Sequence, residues 1–179
     1  MKFIFSLVIV ISLSSCIPVK IAPQIEDYTV KKGKRFKSYL PKEHTFIFND
    51  PKKANEFNQF IAAKFGVEND FLEELIPIEI NGKQYVLRYN EVERITKTIN
   101  LIPFAIDAGL QSKNIDPLLE DVYTSRTGNW YIVISIANEN TIDCLNPEFK
   151  NQSEIVASLK KLKDEYLNTS NYLETLMKR

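Results

Sequence analysis

One histidine and two cysteines bound the nucleophilic chemistry open to this 179-residue chain. His44 is the sole imidazole, and Cys144 is the thiol that could pair with it. Such a pair works as nucleophile and base only when a third group orients the ring and a cleft holds substrate. Asp143 and Asn146 flank Cys144 and are the candidates for that third group. No local signature of a cysteine hydrolase surrounds either residue. Free cysteine is among the most buried residue types, so the reading favours a packed, inert thiol and assigns no catalytic residue. One histidine and one cysteine also fall short of a zinc ligand set. Asp116, Glu120 and Asp121 are candidate oxygen ligands, but they lack calcium-loop spacing. Acids gathered at a helix start for dipole reasons explain them more simply, and no metal is assigned. Paired carboxylates for hydrolysis depend on a spatial separation that the 23 acids do not reveal in one dimension. No glycine-rich phosphate loop occurs and no cofactor is implied. Tyr85, Tyr89, Trp130 and Tyr131 are candidates for a ligand-facing patch, but strand alternation makes core packing the favoured reading.

The N-terminus carries a more specific pattern. Met1-Lys2 precedes an eleven-residue apolar run, Phe3 to Leu13, followed by Ser14-Ser15-Cys16. A membrane-spanning helix needs about 20 apolar residues, so this run is too short to cross a bilayer and suits a secretory leader. The pattern resembles a bacterial lipoprotein signal peptide, with Leu13-Ser14-Ser15-Cys16 in the place of the lipobox. The resemblance covers only the leader. It implies cleavage between Ser15 and Cys16, with diacylglycerol on the Cys16 thiol and an acyl chain on its amine. A single acyl chain binds a membrane only marginally, whereas two or three on one residue make a lasting anchor. Position 17 is Ile17, not the aspartate that often retains such proteins in the inner membrane. No acidic export cluster follows the cysteine either. The implied location is the cell envelope, at the periplasmic face of the outer membrane.

Composition sets further bounds. The chain has 23 basic and 23 acidic side chains. Removing residues 1–15 removes only Lys2 among them, so bulk charge gives no reason to expect a nucleic-acid partner. The 164 residues that remain suffice for one domain with its own core. With Cys16 lipidated, Cys144 has no cysteine to pair with, and packing alone must stabilise the fold.

The expected organisation is a leader over 1–15, a lipidated tether over 16–27 and one globular domain over 28–179. The tether holds Pro18 and Pro23 and little periodicity. Lys31 to Lys37 places five cations in seven positions. This stretch suits anionic headgroups, but a solvated basic surface is the favoured reading. Thr45-Phe46-Ile47-Phe48 predicts a strand. Asp50-Pro51 predicts a cap and first turn for a helix over 52–65, with Phe57, Phe60, Ile61 and Phe65 on one face and Gly66 as its stop. A short helix is expected over 68–75.

Ile76 to Ile80 and Tyr85 to Tyr89, joined through Asn81-Gly82, form the clearest hairpin signal. Residues 91–114 fit a helix or a strand equally. Asp116-Pro117 predicts a short helix to Val122. Gly128-Asn129 is read as the opening of a strand over 130–136, buried on both faces, which pairs in a hairpin with the run before it. Asn151 and Glu154 have capping-box spacing before a helix to about Leu167, with Ile155, Leu159, Leu162 and Tyr166 on one face. Another turn is expected over 172–177.

The order predicts an α+β fold, an antiparallel sheet with amphipathic helices packed on it. Function is expected to be non-enzymatic: a lipid-anchored domain that binds an envelope protein or component, with 84–89 and 130–136 the segments to inspect for a binding face. The alternatives are a small envelope hydrolase acting on glycan or peptide, and an inhibitor or immunity-type lipoprotein.

Overall fold

The computed structural model describes residues 16–66, 75–100 and 124–169. The leader, the expected helix over 68–75 apart from Leu75, which is not helical, the expected helix over 116–122 and the turn over 172–177 lie outside the described residues, as does the acidic group Asp116, Glu120 and Asp121. Among the described residues are six strands and three helices. The strands are β1 (Cys16–Lys20), β2 (Thr29–Lys32), β3 (His44–Asp50), β4 (Ile76–Ile80), β5 (Lys83–Asn100) and β6 (Thr124–Ala137). The helices are α1 (Gly33–Phe36), α2 (Glu56–Phe65) and α3 (Gln152–Asn168). The strands form one sheet in the order β1-β5-β6-β3-β2, with β4 also paired to β5. The registered pairs β1–β5, β2–β3, β3–β6 and β4–β5 are all antiparallel. The fold is α+β. By internal contacts the chain divides into two units, residues 25–92 with 130–179 and residues 1–24 with 93–129.

In the first unit, strand alternation sends side chains to two faces. Phe46 and Phe48 of β3, Tyr85 and Leu87 of β5, and Ile132, Ile134 and Ile136 of β6 share one buried cluster. Phe57, Phe60 and Ile61 of α2 and Ile155, Leu159, Leu162 and Tyr166 of α3 join that cluster. The alternate residues Ile47, Val92, Tyr131 and Val133 form a second cluster with Phe36 and Leu40. Strand β6 is therefore central and buried on both sides here, as its near-continuous apolarity predicts.

The hairpin between β4 and β5 turns at Asn81 (φ 51°) and Gly82 (φ 73°). Both are left-handed, which is the conformation a two-residue hairpin turn with matching twist requires. Helix α2 ends at Gly66 (φ 69°), whose N–H donates to Ala62 O at 2.8 Å.

Three local expectations are corrected. Helix α2 starts at Glu56, four residues later than the Asp50-Pro51 signature suggests. The Asp50 carboxylate instead accepts the Lys52 N–H at 3.0 Å, closing a tight turn of its own. Asn151 does precede α3, but its side chain does not cap the helix. Its amide donates to Glu154 Oε2 at 3.2 Å. Residues 124–137 form one strand, with no hairpin turn at Gly128-Asn129. Gly128 is absent from the positive-φ glycines. A Cβ at Gly128 would lie 2.4 Å from Glu93 Oε1, the flexible end of a side chain on the neighbouring strand β5 that can swing aside.

The second unit contains β1, the end of β5 and the start of β6. Ile17 pairs with Ile99 and Lys20 with Lys97. The expected tether thus includes a strand, followed by buried Ala22, whose N–H donates to Thr96 Oγ1 at 3.1 Å. Val19 and Ile21 supply β-branched content, and Pro18 is tolerated because β1 is an edge strand. No helix among the described residues is long and apolar enough to cross a membrane.

Candidate functional site

Strand parity places Val86 and Arg88 of β5 on the sheet face opposite Tyr85 and Leu87. Ser135 of β6 lies on the face of Tyr131 and Val133. Val86, Arg88 and Ser135 line a cavity of about 250 Å³, which Glu43, Thr141 and Asp143 complete from the segments flanking β3 and following β6. Its charged and polar lining residues, Arg88, Glu43, Asp143, Ser135 and Thr141, stand beside the apolar Pro41, Val86, Ile136 and Ala137. Its β5 and β6 walls come from within 84–89 and 130–136 or immediately beside them. Such a lining can orient a small polar molecule through hydrogen bonds and charge.

Asp143 is already engaged. One of its oxygens, Oδ2, accepts both the His44 backbone N–H and His44 Nδ1–H, each at 2.8 Å. Its other oxygen accepts the Leu145 N–H at 3.1 Å. The carboxylate pins the loop after β6 to the first residue of β3 and sets the imidazole tautomer, with the proton on Nδ1. The adjacent Asn138 side chain accepts the N–H groups of Asn140 and Ile142, closing the turn that delivers Asp143.

Cys144 faces away from that chemistry. Its backbone N–H donates to Ile136 O at 3.0 Å, and its Sγ donates to Ile142 O at 3.2 Å. The residue is fully buried within the helix-side cluster. Burial pushes the thiol up to about 11, and the Asp143 charge adds to the shift. A nucleophilic cysteine needs the opposite displacement, toward thiolate at neutral pH. The His44 ring is bonded to Asp143, so the hydrogen bonds do not link it to Cys144. Native protein is expected to resist iodoacetamide at mildly alkaline pH and to take one label per chain at Cys144 only after denaturation. Intact-mass spectrometry of a Cys16→Ala chain reads this directly, and prompt labelling of folded protein would overturn the assignment.

A second polar group lies where β3 ends. The Asp50 carboxylate is buried and accepts the Tyr166 hydroxyl at 3.0 and 3.1 Å. Burial holds Asp50 above the ordinary carboxylate range, against the hydrogen bonds from Lys52 and Tyr166. Glu91 is raised by burial, and the charge of Asp50 contributes. Its Oε2 accepts the Asn55 N–H at 3.2 Å. Lys52 Nζ donates to Tyr166 O and Thr169 O, both at 2.5 Å, and lies 4.4 Å from the Tyr166 ring centroid. Tyr89 donates to Asn58 Oδ1 at 2.7 Å, and burial raises its phenol to about 12. These groups tie the last turn of α3 to the β3–α2 connection. Asp50 and Glu91 are a carboxyl pair with perturbed titration, the kind of signal that also marks catalytic acids. Here burial is the leading cause of both shifts, and the donors around the two carboxyls oppose it.

Of the aromatics singled out from the sequence, Tyr85 and Tyr131 are buried, Tyr89 is half-buried, and Trp130 alone is exposed. They do not form one surface patch. Glu43, Arg88, Ser135, Asp50 and Tyr166 carry no motif. Only the parity of β5 and β6 signals which of their residues share a face. The described residues contain no group of three or more His, Cys, Asp or Glu side chains placed to hold a metal ion.

These features define an α+β protein with an antiparallel sheet and a charged cavity on one of its faces. No family model, curated protein or solved structure matches the chain.

Proposed function

We propose that this chain is a lipid-anchored protein of the bacterial cell envelope, acylated at Cys16, whose α+β domain binds another envelope component without catalysing a reaction. The observation that carries the reading is the leader: an eleven-residue apolar run ending in Leu-Ser-Ser-Cys. The non-catalytic part draws support from the commitments of the reactive groups. Cys144 is buried with a raised thiol, and the His44 ring is held by Asp143. The cavity lined by Arg88, Glu43 and Asp143 favours a polar ligand or a charged side chain of a partner.

A second reading, a hydrolase of envelope glycan or peptide, rests on Glu43 and Asp143 lining the same cavity. It requires Asp143 to act while already accepting three hydrogen bonds.

The test is metabolic labelling with a radioactive fatty acid, paired with crosslinking in intact cells and mass spectrometry of what is captured. The unsubstituted chain is expected to take up label and sediment with membranes, and Cys16→Ala to do neither. One recurrent envelope protein, lost with the anchor, is expected among the crosslinks. Label persisting in Cys16→Ala would sink the anchor assignment. Glycan or peptide cleavage lost in Glu43→Gln would promote the hydrolase reading.

A further inference from the structure

We propose that the segment from Tyr28 to Lys42 is a docking face for an anionic phospholipid bilayer. These fifteen residues hold six cations, Lys31, Lys32, Lys34, Arg35, Lys37 and Lys42, and no acid, within a chain that has 23 of each sign. The remainder of the chain therefore has 17 cations against 23 acids. The neutral total conceals a strongly positive stretch.

The fold keeps that charge at the surface. Strand β2 lies at the sheet edge, and α1 follows it directly. Gly33, Phe36 and Leu40 turn inward and are buried, whereas Lys32, Lys34, Arg35 and Lys42 are exposed. The platform is tied down along its length. Gly33 N–H donates to Glu43 O at 3.0 Å, Lys34 N–H to Pro41 O at 2.9 Å, and Thr45 Oγ1 to Lys31 O at 3.0 Å. A Cβ at Gly33 would lie 2.7 Å from Pro41 O, so glycine permits the close return of the chain. Lys32, Lys34, Arg35 and Lys42 have no ion-pair partner among the described residues. Lys64, Lys160 and Lys163 by contrast are engaged with Glu165 or Asp27.

A bilayer fits this face better than a nucleic acid does. Tyr39 is 64% exposed amid the cations, with Lys37 Nζ 5.1 Å from its ring centroid. Tyrosine beside a cation suits headgroup depth, where an apolar ring body meets a wet hydroxyl. One ring is a poor base-stacking platform, which uses several. The charge argument stands without the lipoprotein reading.

Each cation near an anionic surface raises affinity roughly fivefold, and salt weakens the effect. The test uses the full chain carrying Cys16→Ala, so no lipid contributes. Sedimentation is measured with phosphatidylcholine vesicles with and without phosphatidylglycerol, at low and high salt. Binding is expected to require phosphatidylglycerol and to fall as salt rises. Adding Lys32→Gln, Lys34→Gln, Arg35→Gln and Lys42→Gln is expected to lower the phosphatidylglycerol-dependent component about tenfold or more. A control with Lys53, Lys83, Lys150 and Lys161 changed to Gln loses the same charge elsewhere and is expected to retain most of it. Thermal melts establish that both are folded, and the milder Lys34→Gln/Arg35→Gln pair repeats the comparison if the fourfold variant is not.

Equal losses in face and control variants, or no phosphatidylglycerol dependence, overturn the proposal. So does duplex DNA displacing the vesicles at equal phosphate, which would make the face a general polyanion site. Fatty-acid labelling of the unsubstituted chain is a separate readout, so failure of the anchor and failure of the face are distinguished.

Discussion

Tyr166→Ala is expected to lower the free energy of unfolding by about 3–5 kcal/mol, the range for truncating a large buried aromatic. The ring has no exposure to solvent and packs against Phe57 and Phe60 at centroid distances of 5.0 and 5.4 Å. Phe48 stands edge-on at 6.3 Å. Alanine would leave a cavity among side chains from β3, α2 and α3 at once. Its hydroxyl donates to Asp50, so Tyr166→Phe separates packing from hydrogen bonding. That variant is expected to cost about 1–3 kcal/mol, because it takes a donor away from a buried carboxyl while keeping the ring.

Asp50→Ala should cost a similar amount, by stranding the hydroxyl. Asp50→Asn keeps an acceptor for both Tyr166 and Lys52 and is expected to stay within about 1 kcal/mol of the parent at neutral pH. The pH dependence follows from sign. Burial raises both Asp50 and Glu91 in the folded state, so the folded form binds protons more tightly than the unfolded form. Their contribution is fully present below the ordinary carboxylate range and is lost as pH rises through the raised values. Asp50→Asn should flatten that loss. Urea unfolding of the four variants across acidic and neutral pH, with the denaturant slope monitored for two-state behaviour, checks these statements. A Tyr166→Ala loss under about 1 kcal/mol would contradict the packing.

The second expected result is an asymmetry between two partners of one ion pair. Lys163 lies in α3 with its side chain 6% exposed, and its ammonium is bonded to Asp27, whose side chain is 45% exposed. Asp27→Ala leaves that ammonium nearly dry, with Asp164 at 3.2 Å as a remaining neighbour. The expected cost is about 1–3 kcal/mol, below the range for a fully buried pair because Asp27 is open to water and Asp164 stays. Lys163→Met removes the buried charge and keeps an apolar stem of similar length. Asp27 then retains Lys160 at 2.5 Å. That change is expected to cost less than about 1 kcal/mol.

Lys160 and Lys163 hold the Asp27 carboxyl below its ordinary value. Its contribution is therefore present above the ordinary carboxylate range and lost as pH falls through the lowered value, opposite in sign to Asp50. Chemical denaturation of the two single variants decides the matter, and equal losses would show that the ammonium is not effectively buried. The pair also fixes the chain five residues before the basic segment leaves β2, so Asp27→Ala should increase hydrogen exchange at the amides of residues 25–28.

Much of this architecture is legible in local sequence because short-range physics specifies it. Asn81-Gly82 requires positive φ at both positions, and the turn forms there. Phe57, Phe60 and Ile61 recur at helical spacing, and that face is buried. The run from Tyr131 to Ile136 is apolar at nearly every position, and it becomes a strand covered on both sides. The antiparallel α+β class follows from such elements taken in order. Where local rules offered two outcomes, non-local contacts chose. Residues 91–100 fit helix or strand equally, and a place in the sheet between β1 and β6 gave strand. Gly128-Asn129 is read as opening a strand after a hairpin turn, yet one strand runs unbroken through it. Asp50 resembles a helix cap, but its carboxylate serves Lys52 and Tyr166, the latter 116 residues away.

The candidate site shows the same division. The leader pattern ending at Cys16 can be read locally because its recognition features occupy adjacent positions. The cavity of Glu43, Arg88, Ser135 and Asp143 cannot, because its walls come from chain segments up to 100 residues apart, and only strand pairing and loop closure bring them together. His44 and Cys144 could be named from composition, but tertiary packing decided their roles: one bound to Asp143, the other buried with its thiol raised. By itself the sequence determined the anchor expectation, the fold class and the local turns, because those depend on neighbours in the chain. The tertiary structure alone decided which charges meet, which are buried and which face water, because desolvation and pairing depend on neighbours in space.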